Sequence, residues 1–278
     1  MATNGIDNAS SNTIFDVETK TPRFIFSNEP VYAGAFSPDS KTLATGMFNG
    51  EIVLWNVATG EEIRRFAAYE KLTSGSGAFK FLYFSPDGKL LLSGGKDNDV
   101  KVWNALNGAL VRTLRGFDSP ASALAISPDG KRAFAAGFNQ MAKLYDLENG
   151  EMIADLGTQP KAILSAVYAP DGKAFVTGGA DGIIKIWNSA DGKLLDTLTG
   201  NAGFIWALAF TPDGKRLASA SGEGVIRLWD TESKAQVLAI RTNSATTLYL
   251  AFTPDGNTLI SHGSQERIRF WDATPVEK

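Results

Sequence analysis

Short alternations of apolar and polar residues recur along the whole chain, and no stretch sustains the 3.6-residue spacing of a buried helix face. The segment Val176 to Gly192, V-T-G-G-A-D-G-I-I-K-I-W-N-S-A-D-G, shows the unit. Ile184 and Ile186 flank Lys185, the run ends in Trp187-Asn188, and turn residues bracket it, the pattern of a short antiparallel strand. The same aromatic-then-Asp/Asn ending returns at Phe15, Trp55, Trp103, Tyr145, Trp187, Trp229 and Trp271, at spacings of 40, 48, 42, 42, 42 and 42 residues. A period in that range predicts a repeat architecture.

Each of six fuller copies opens with an apolar strand that enters a turn. The turns are Phe36-Ser37-Pro38-Asp39, Phe84-Ser85-Pro86-Asp87, Ile126-Ser127-Pro128-Asp129, Tyr168-Ala169-Pro170-Asp171, Phe210-Thr211-Pro212-Asp213 and Phe252-Thr253-Pro254-Asp255. Proline presets φ, aspartate bonds back to its own backbone, and the glycine that follows in five of the six admits positive φ. A second strand such as Lys215 to Ser219, the aromatic-ended third strand and a fourth such as Lys193 to Leu198 complete four short strands per copy. Thr13 to Phe26 matches only the second half of a copy, with Phe15 aligned to Trp55 and Phe26 to Phe66. The domain expected is 13–272, between a flexible N-terminal tail at 1–12 and a short C-terminal tail at 273–278. The 48-residue spacing places its additional length in Glu70 to Gly77, a loop by composition.

Composition narrows the function classes. With 278 residues and 44% hydrophobic content the chain can bury a large core, and 28 glycines fit frequent turns. A net charge of −3 gives no broad basic surface, so no nucleic-acid partner is expected. The lack of cysteine removes thiolate catalysis, disulfides and cysteine-ligated zinc. No apolar run approaches the ~20 residues of a membrane helix, and Met1 to Asn12 lacks the apolar centre of a signal peptide, so the expectation is a cytoplasmic protein without a membrane partner. Asn8-Ala9-Ser10 fits a glycosylation triplet but gains no weight without a secretion signal.

The strand endings V-K-V-W-N104, I-K-I-W-N188, I-R-L-W-D230 and I-R-F-W-D272, preceded by S-P-D-G-type turns, resemble the WD-repeat (WD40) β-propeller family over residues 13–272. The resemblance implies an all-β fold of four-stranded antiparallel blades. It also implies hydrogen-bonded hydroxyl and indole pairs: Thr45 with Trp55, Ser93 with Trp103, Thr177 with Trp187, Ser219 with Trp229 and Ser261 with Trp271. The third copy lacks both partners, with Ala135 and Tyr145, which is easier than stranding one buried indole N–H. The family's Gly-His histidine is absent. Phe117, Thr158 and Asn201 follow Gly116, Gly157 and Gly200 in its place, so the full relay is not expected. Two closures fit the strand count. In one, Arg23 to Phe26 supplies the fourth strand of the last of six blades. In the other, a seven-bladed ring has an incomplete first blade.

Catalytic patterns are sparse. The single histidine, His262, lies inside a second strand beside Ser261, so no triad is assigned and no catalytic residue is expected. Asp97-Asn98-Asp99 lacks the further oxygen ligands of a calcium loop, and neither a metal nor another cofactor is expected. What proteins of this kind do imply is a binding face made by the loops into first strands and those between second and third strands. Carried onto this chain, it comprises Tyr32, Phe48, Lys80, Lys96, Phe138, Phe204 and Trp206. The reading is a non-catalytic scaffold, monomeric by itself, that takes a peptide or protein segment of some acidic character. The alternative is a propeller hydrolase or lyase that uses channel carboxylates.

Overall fold

The computed structural model describes residues 2–4, 12–15, 21–27, 29–69, 79–242, 246–263 and 268–272. The loop expected at 70–77 and the C-terminal tail at 273–278 lie outside them. Every regular element described is a strand, and no helix is long and apolar enough to cross a membrane.

The strands form seven antiparallel sheets among the described residues. An N-terminal sheet holds β1 (Ala2–Asn4), β2 (Asn12–Phe15) and β3 (Pro22–Ser27). Five four-stranded sheets follow, each with its strands paired in sequence order. The first two are β4 (Val31–Phe36), β5 (Thr42–Met47), β6 (Glu51–Asn56), β7 (Glu62–Ala67), and β8 (Phe79–Phe84), β9 (Leu90–Gly95), β10 (Val100–Asn104), β11 (Leu110–Leu114). The third and fourth are β12 (Ala121–Ile126), β13 (Arg132–Gly137), β14 (Met141–Asp146), β15 (Met152–Thr158), and β16 (Ile163–Tyr168), β17 (Ala174–Gly179), β18 (Ile184–Asn188), β19 (Leu194–Leu198). The fifth is β20 (Ile205–Phe210), β21 (Arg216–Ser221), β22 (Val225–Asp230) and β23 (Gln236–Arg241). A three-stranded sheet of β24 (Thr247–Phe252), β25 (Thr258–Gly263) and β26 (Arg269–Asp272) ends the series. The six sheets from β4 onward correspond to the six full copies.

The turn chemistry places the hairpins. In the β8–β9 turn Gly88 adopts φ +72° and its N–H bonds Ser85 O at 2.8 Å. In the one turn without that glycine Ser40 adopts φ +60° and makes the same 2.8 Å bond to Ser37 O, so the turn's own geometry overrides the residue's preference. On the outer side, the third-to-fourth-strand pairing slips by one residue just before the aromatic in all five four-stranded sheets, at 54/55, 102/103, 144/145, 186/187 and 228/229. A bulge at that point bends and twists the outer strand.

The chain divides into two compact units, Met1–Ala121 and Ser122–Lys278. In the first unit, Ile14 packs with Leu43, Met47, Val53 and Trp55, and a second core joins Ile52 and Leu54 to Phe79, Leu91 and Trp103. In the second unit the cores again lie between consecutive sheets, one around Phe134, Phe175 and Trp187 and the next around Val176, Leu217 and Trp229. Within each unit, sheets that follow one another thus bury their facing sides on each other, which is why second and third strands read as nearly continuous apolar runs.

One expectation is corrected. Arg23 to Phe26 does not pair with the last sheet among the described residues: β3 pairs with β2 through Thr13↔Ile25 and Ile14↔Phe24, and β26 pairs with β25. The hairpin partner next along the chain wins, and burial of Ile14 against Trp55 anchors it. Beside it, β1 pairs with β2, and the buried Asn12 donates from Nδ2 to Glu29 O at 2.7 Å.

Candidate functional site

The strand register explains how each repeat secures its indole. Trp187 lies opposite Phe175 and Thr177 opposite Lys185, so ring and hydroxyl stand two positions apart on adjacent strands and share one face. Trp187 Nε1 donates to Thr177 Oγ1 at 2.9 Å. The same bond joins Trp55 to Thr45 at 2.8 Å, Trp103 to Ser93 at 2.9 Å, Trp229 to Ser219 at 2.9 Å and Trp271 to Ser261 at 2.8 Å. In the third repeat Ala135 and Tyr145 are both buried at the corresponding places.

Reading the missing histidine as a missing relay is too strict for one repeat. Asn201 Oδ1 accepts from Ser219 Oγ at 3.3 Å and from Arg227 Nη1 at 3.4 Å, extending the chain that begins at Trp229. Arg227 also pairs with Glu223, which accepts from the Ala202 N–H at 3.1 Å and from Ser221 Oγ at 3.1 Å. The side-chain amide supplies the acceptor that an imidazole supplies elsewhere. Sequence spacing found Asn201 but missed its function, because its partners arrive from the next sheet. Elsewhere the arrangement differs: Phe117 is buried, and next to Thr158 it is Gln159 Oε1 that accepts from Lys185 Nζ at 2.7 Å.

Five of the six proline turns hold their aspartate through a hydroxyl two residues earlier. Ser37, Ser85, Ser127 and Thr211 donate to Asp39, Asp87, Asp129 and Asp213 at 2.6 Å, and Thr253 donates to Asp255 at 2.5 Å. These hydroxyl bonds, with the backbone N–H two residues beyond the aspartate, hold all five carboxyls below their ordinary values. Because the folded values are depressed, the stability they contribute is complete above the unfolded carboxylate value, ~3.9, and is lost as pH falls through the folded values. Urea midpoints measured between pH 5 and pH 2.5 should fall below about pH 4, and more shallowly in the double variant Asp87→Asn, Asp129→Asn. Identical slopes for parent and variant would remove these turns as the cause.

The loop ends at the opposite side of the first strands have a shared construction. Phe48 N–H bonds Pro30 O at 3.0 Å, Ala180 N–H bonds Ala162 O at 2.9 Å and Gly222 N–H bonds Phe204 O at 2.8 Å, so in these three repeats the two loops are tied together. In the first unit this brings Tyr32 and Phe48 into ring contact at 5.8 Å, and Lys80 and Lys96 are exposed. In the second unit Phe204 and Trp206 meet edge to face at 5.6 Å, and a Cβ on Gly222 would lie 3.4 Å from Trp206 Nε1. Tyr32, Phe138 and Phe204 keep 44%, 45% and 48% of their surface exposed, while Phe48 and Trp206 are half-buried. Leu248 and Tyr249 at the corresponding end of β24 are exposed to a similar degree.

The groups weighed for catalysis are placed as follows. His262 is half-buried on β25 opposite Tyr249, and burial pushes its imidazole below the ordinary value, so it is neutral near pH 7. Asp97 is paired with Lys101 at 2.5 Å, and Asp99 is raised by burial and then by the Asp97 charge; both are partly buried rather than fully solvated. Among the described residues no group of three or more His, Cys, Asp or Glu side chains is arranged to hold a metal.

Comparison with known families finds five matches to the repeat described as WD domain, G-beta repeat (WD40), at residues 20–56, 71–104, 108–146, 150–188 and 192–230. These cover more than half of the chain. A search of curated proteins finds none that matches.

Proposed function

The chain belongs to the WD40 repeat family, its six full repeats forming β-propeller blades of mostly four antiparallel strands, and we propose that it is a non-catalytic scaffold binding a peptide or protein segment. WD40 propellers are typically protein-interaction scaffolds. The observation that carries the reading is the exposure of Tyr32, Phe138 and Phe204 at one end of the first strands, where Tyr32 meets Phe48 and Phe204 meets Trp206. Exposed aromatic groups of this kind characterise interfaces, where rings give contact area with little loss of rotamer freedom.

In this reading Tyr32 and Phe48 act in the first unit, and Phe138, Phe204 and Trp206 in the second. Lys80 and Lys96 give the partner's acidic groups something to face. The protein works in the cytoplasm, without nucleic acid, membrane or cofactor, and is monomeric until a partner arrives. The test is a pull-down from the source cell with the wild-type chain and with Trp206→Ala, Phe138→Ala. The partner captured by the wild type should be lost from the double variant, with the melting transition within a few degrees of the parent. Retained capture, or a variant that no longer folds, would contradict the assignment of these rings to binding.

A further inference from the structure

An opening lies wholly within the second unit, between sheets β16–β19 and β20–β23, at the proline-turn end of β20 and so at the opposite end of that strand from Trp206. It is a cavity of about 290 Å³ floored by Val176, Ile186, Leu198, Phe210, Leu217 and Trp229. Trp229 Nε1 is already committed to Ser219 Oγ, so the indole offers the cavity ring surface rather than a donor.

The preceding interface shows how this space is otherwise closed. There the counterparts of Val176 and Leu217 are Phe134 and Phe175, with ring centroids 5.0 Å apart, and Tyr168 lies 5.3 Å from Phe175. Valine and leucine are both smaller, and Phe210 alone repeats the place of Tyr168. The volume is below the ~300–1,000 Å³ of sites for drug-sized ligands, and suits one apolar side chain.

The rim departs from the repeat pattern at the same spot. Asp171 is the one turn aspartate of six with no hydroxyl two residues before it, because Ala169 stands there. It keeps the Lys173 N–H at 3.0 Å and has Lys173 Nζ only at 4.0 Å. Asp213, across the opening, gives one oxygen to Thr211 and to the Lys215 N–H. Other rim charges are matched: Lys234 pairs with Asp196 and Arg216 with Asp230. Two carboxylates therefore line the mouth with Lys173, 4.0 Å from Asp171, as the one lining cation not paired elsewhere, and Lys215 and Arg216 act on Asp213 from outside the lining, so the lining itself is on balance acidic above an apolar floor.

We propose that this cavity binds a short peptide of a partner protein, inserting one aliphatic or aromatic side chain onto Trp229 and setting an adjacent lysine or arginine against Asp171 and Asp213. The apolar floor supplies affinity, and the two carboxylates select the basic neighbour.

Panning a phage-displayed random dodecapeptide library against the immobilised full chain tests this, with synthesised peptides then measured by fluorescence polarisation. Selected peptides should share an apolar residue beside lysine or arginine. Val176→Phe, which installs the ring of the preceding interface, should weaken them at least tenfold. Asp171→Asn with Asp213→Asn keeps the turn acceptors and should weaken them several-fold, whereas Trp206→Ala should leave affinity unchanged. The proposal is overturned if no peptide is selected, if none carries the basic neighbour, if binding survives the Asn pair, or if Val176→Phe folds and binds as the parent does. Peptides lost only in Trp206→Ala would also overturn it, while leaving the proposed function standing.

Discussion

Replacing Phe175 with alanine should lower the unfolding free energy by about 3–5 kcal/mol, the range for truncating a fully buried aromatic. Phe175 has no exposed surface and touches three other rings, Phe134 at 5.0 Å, Tyr168 at 5.3 Å and Trp187 in a stacked arrangement at 6.2 Å. Its neighbours are anchored in strands on two sheets, so they cannot collapse into the vacated volume without breaking ladder bonds. Urea unfolding followed by near-ultraviolet circular dichroism would read this as a lower midpoint in the transition of the second unit. A loss under about 1 kcal/mol would mean that the rings repack freely, and that the interface is not the rigid contact described.

Thr177→Ala should cost about 1–3 kcal/mol, because the buried Trp187 N–H loses its acceptor where water cannot replace it. Trp187→Phe removes the orphaned donor, so Thr177→Ala made in that background should cost markedly less. The coupling from the double-mutant cycle should be on the order of 1 kcal/mol, since each partner is expensive only while the other remains. The third repeat already carries the paired replacement, with Ala135 and Tyr145 buried at the two positions. Strict additivity across the cycle would show that the 2.9 Å bond contributes nothing specific.

The hydroxyl and indole pairs that the family resemblance implies could be placed on this chain by spacing because they belong to one hairpin. A fixed turn sets the register, and a separation of ten residues then brings Thr177 and Trp187 to the same face whatever surrounds them. The turn aspartates could be found for a similar reason, their donors being within two residues. Asn201 could not be assigned, because its partners Ser219 and Arg227 lie 18 and 26 residues away on strands of the next sheet. The pairing of β3 was open to two readings for the same reason, since an edge strand accepts either neighbour and only the packing of Ile14 decides.

The period, the strand count of each full repeat, the turns and the aromatic anchors were determined by the residues alone, because each depends on atoms a few positions apart in the chain. Which sheet takes the N-terminal strands, which amide substitutes for the absent histidine and where an interface stays unfilled were decided only in three dimensions. Each of these depends on the side chains that a neighbouring sheet brings across the gap, and a pattern read along one strand carries no record of them.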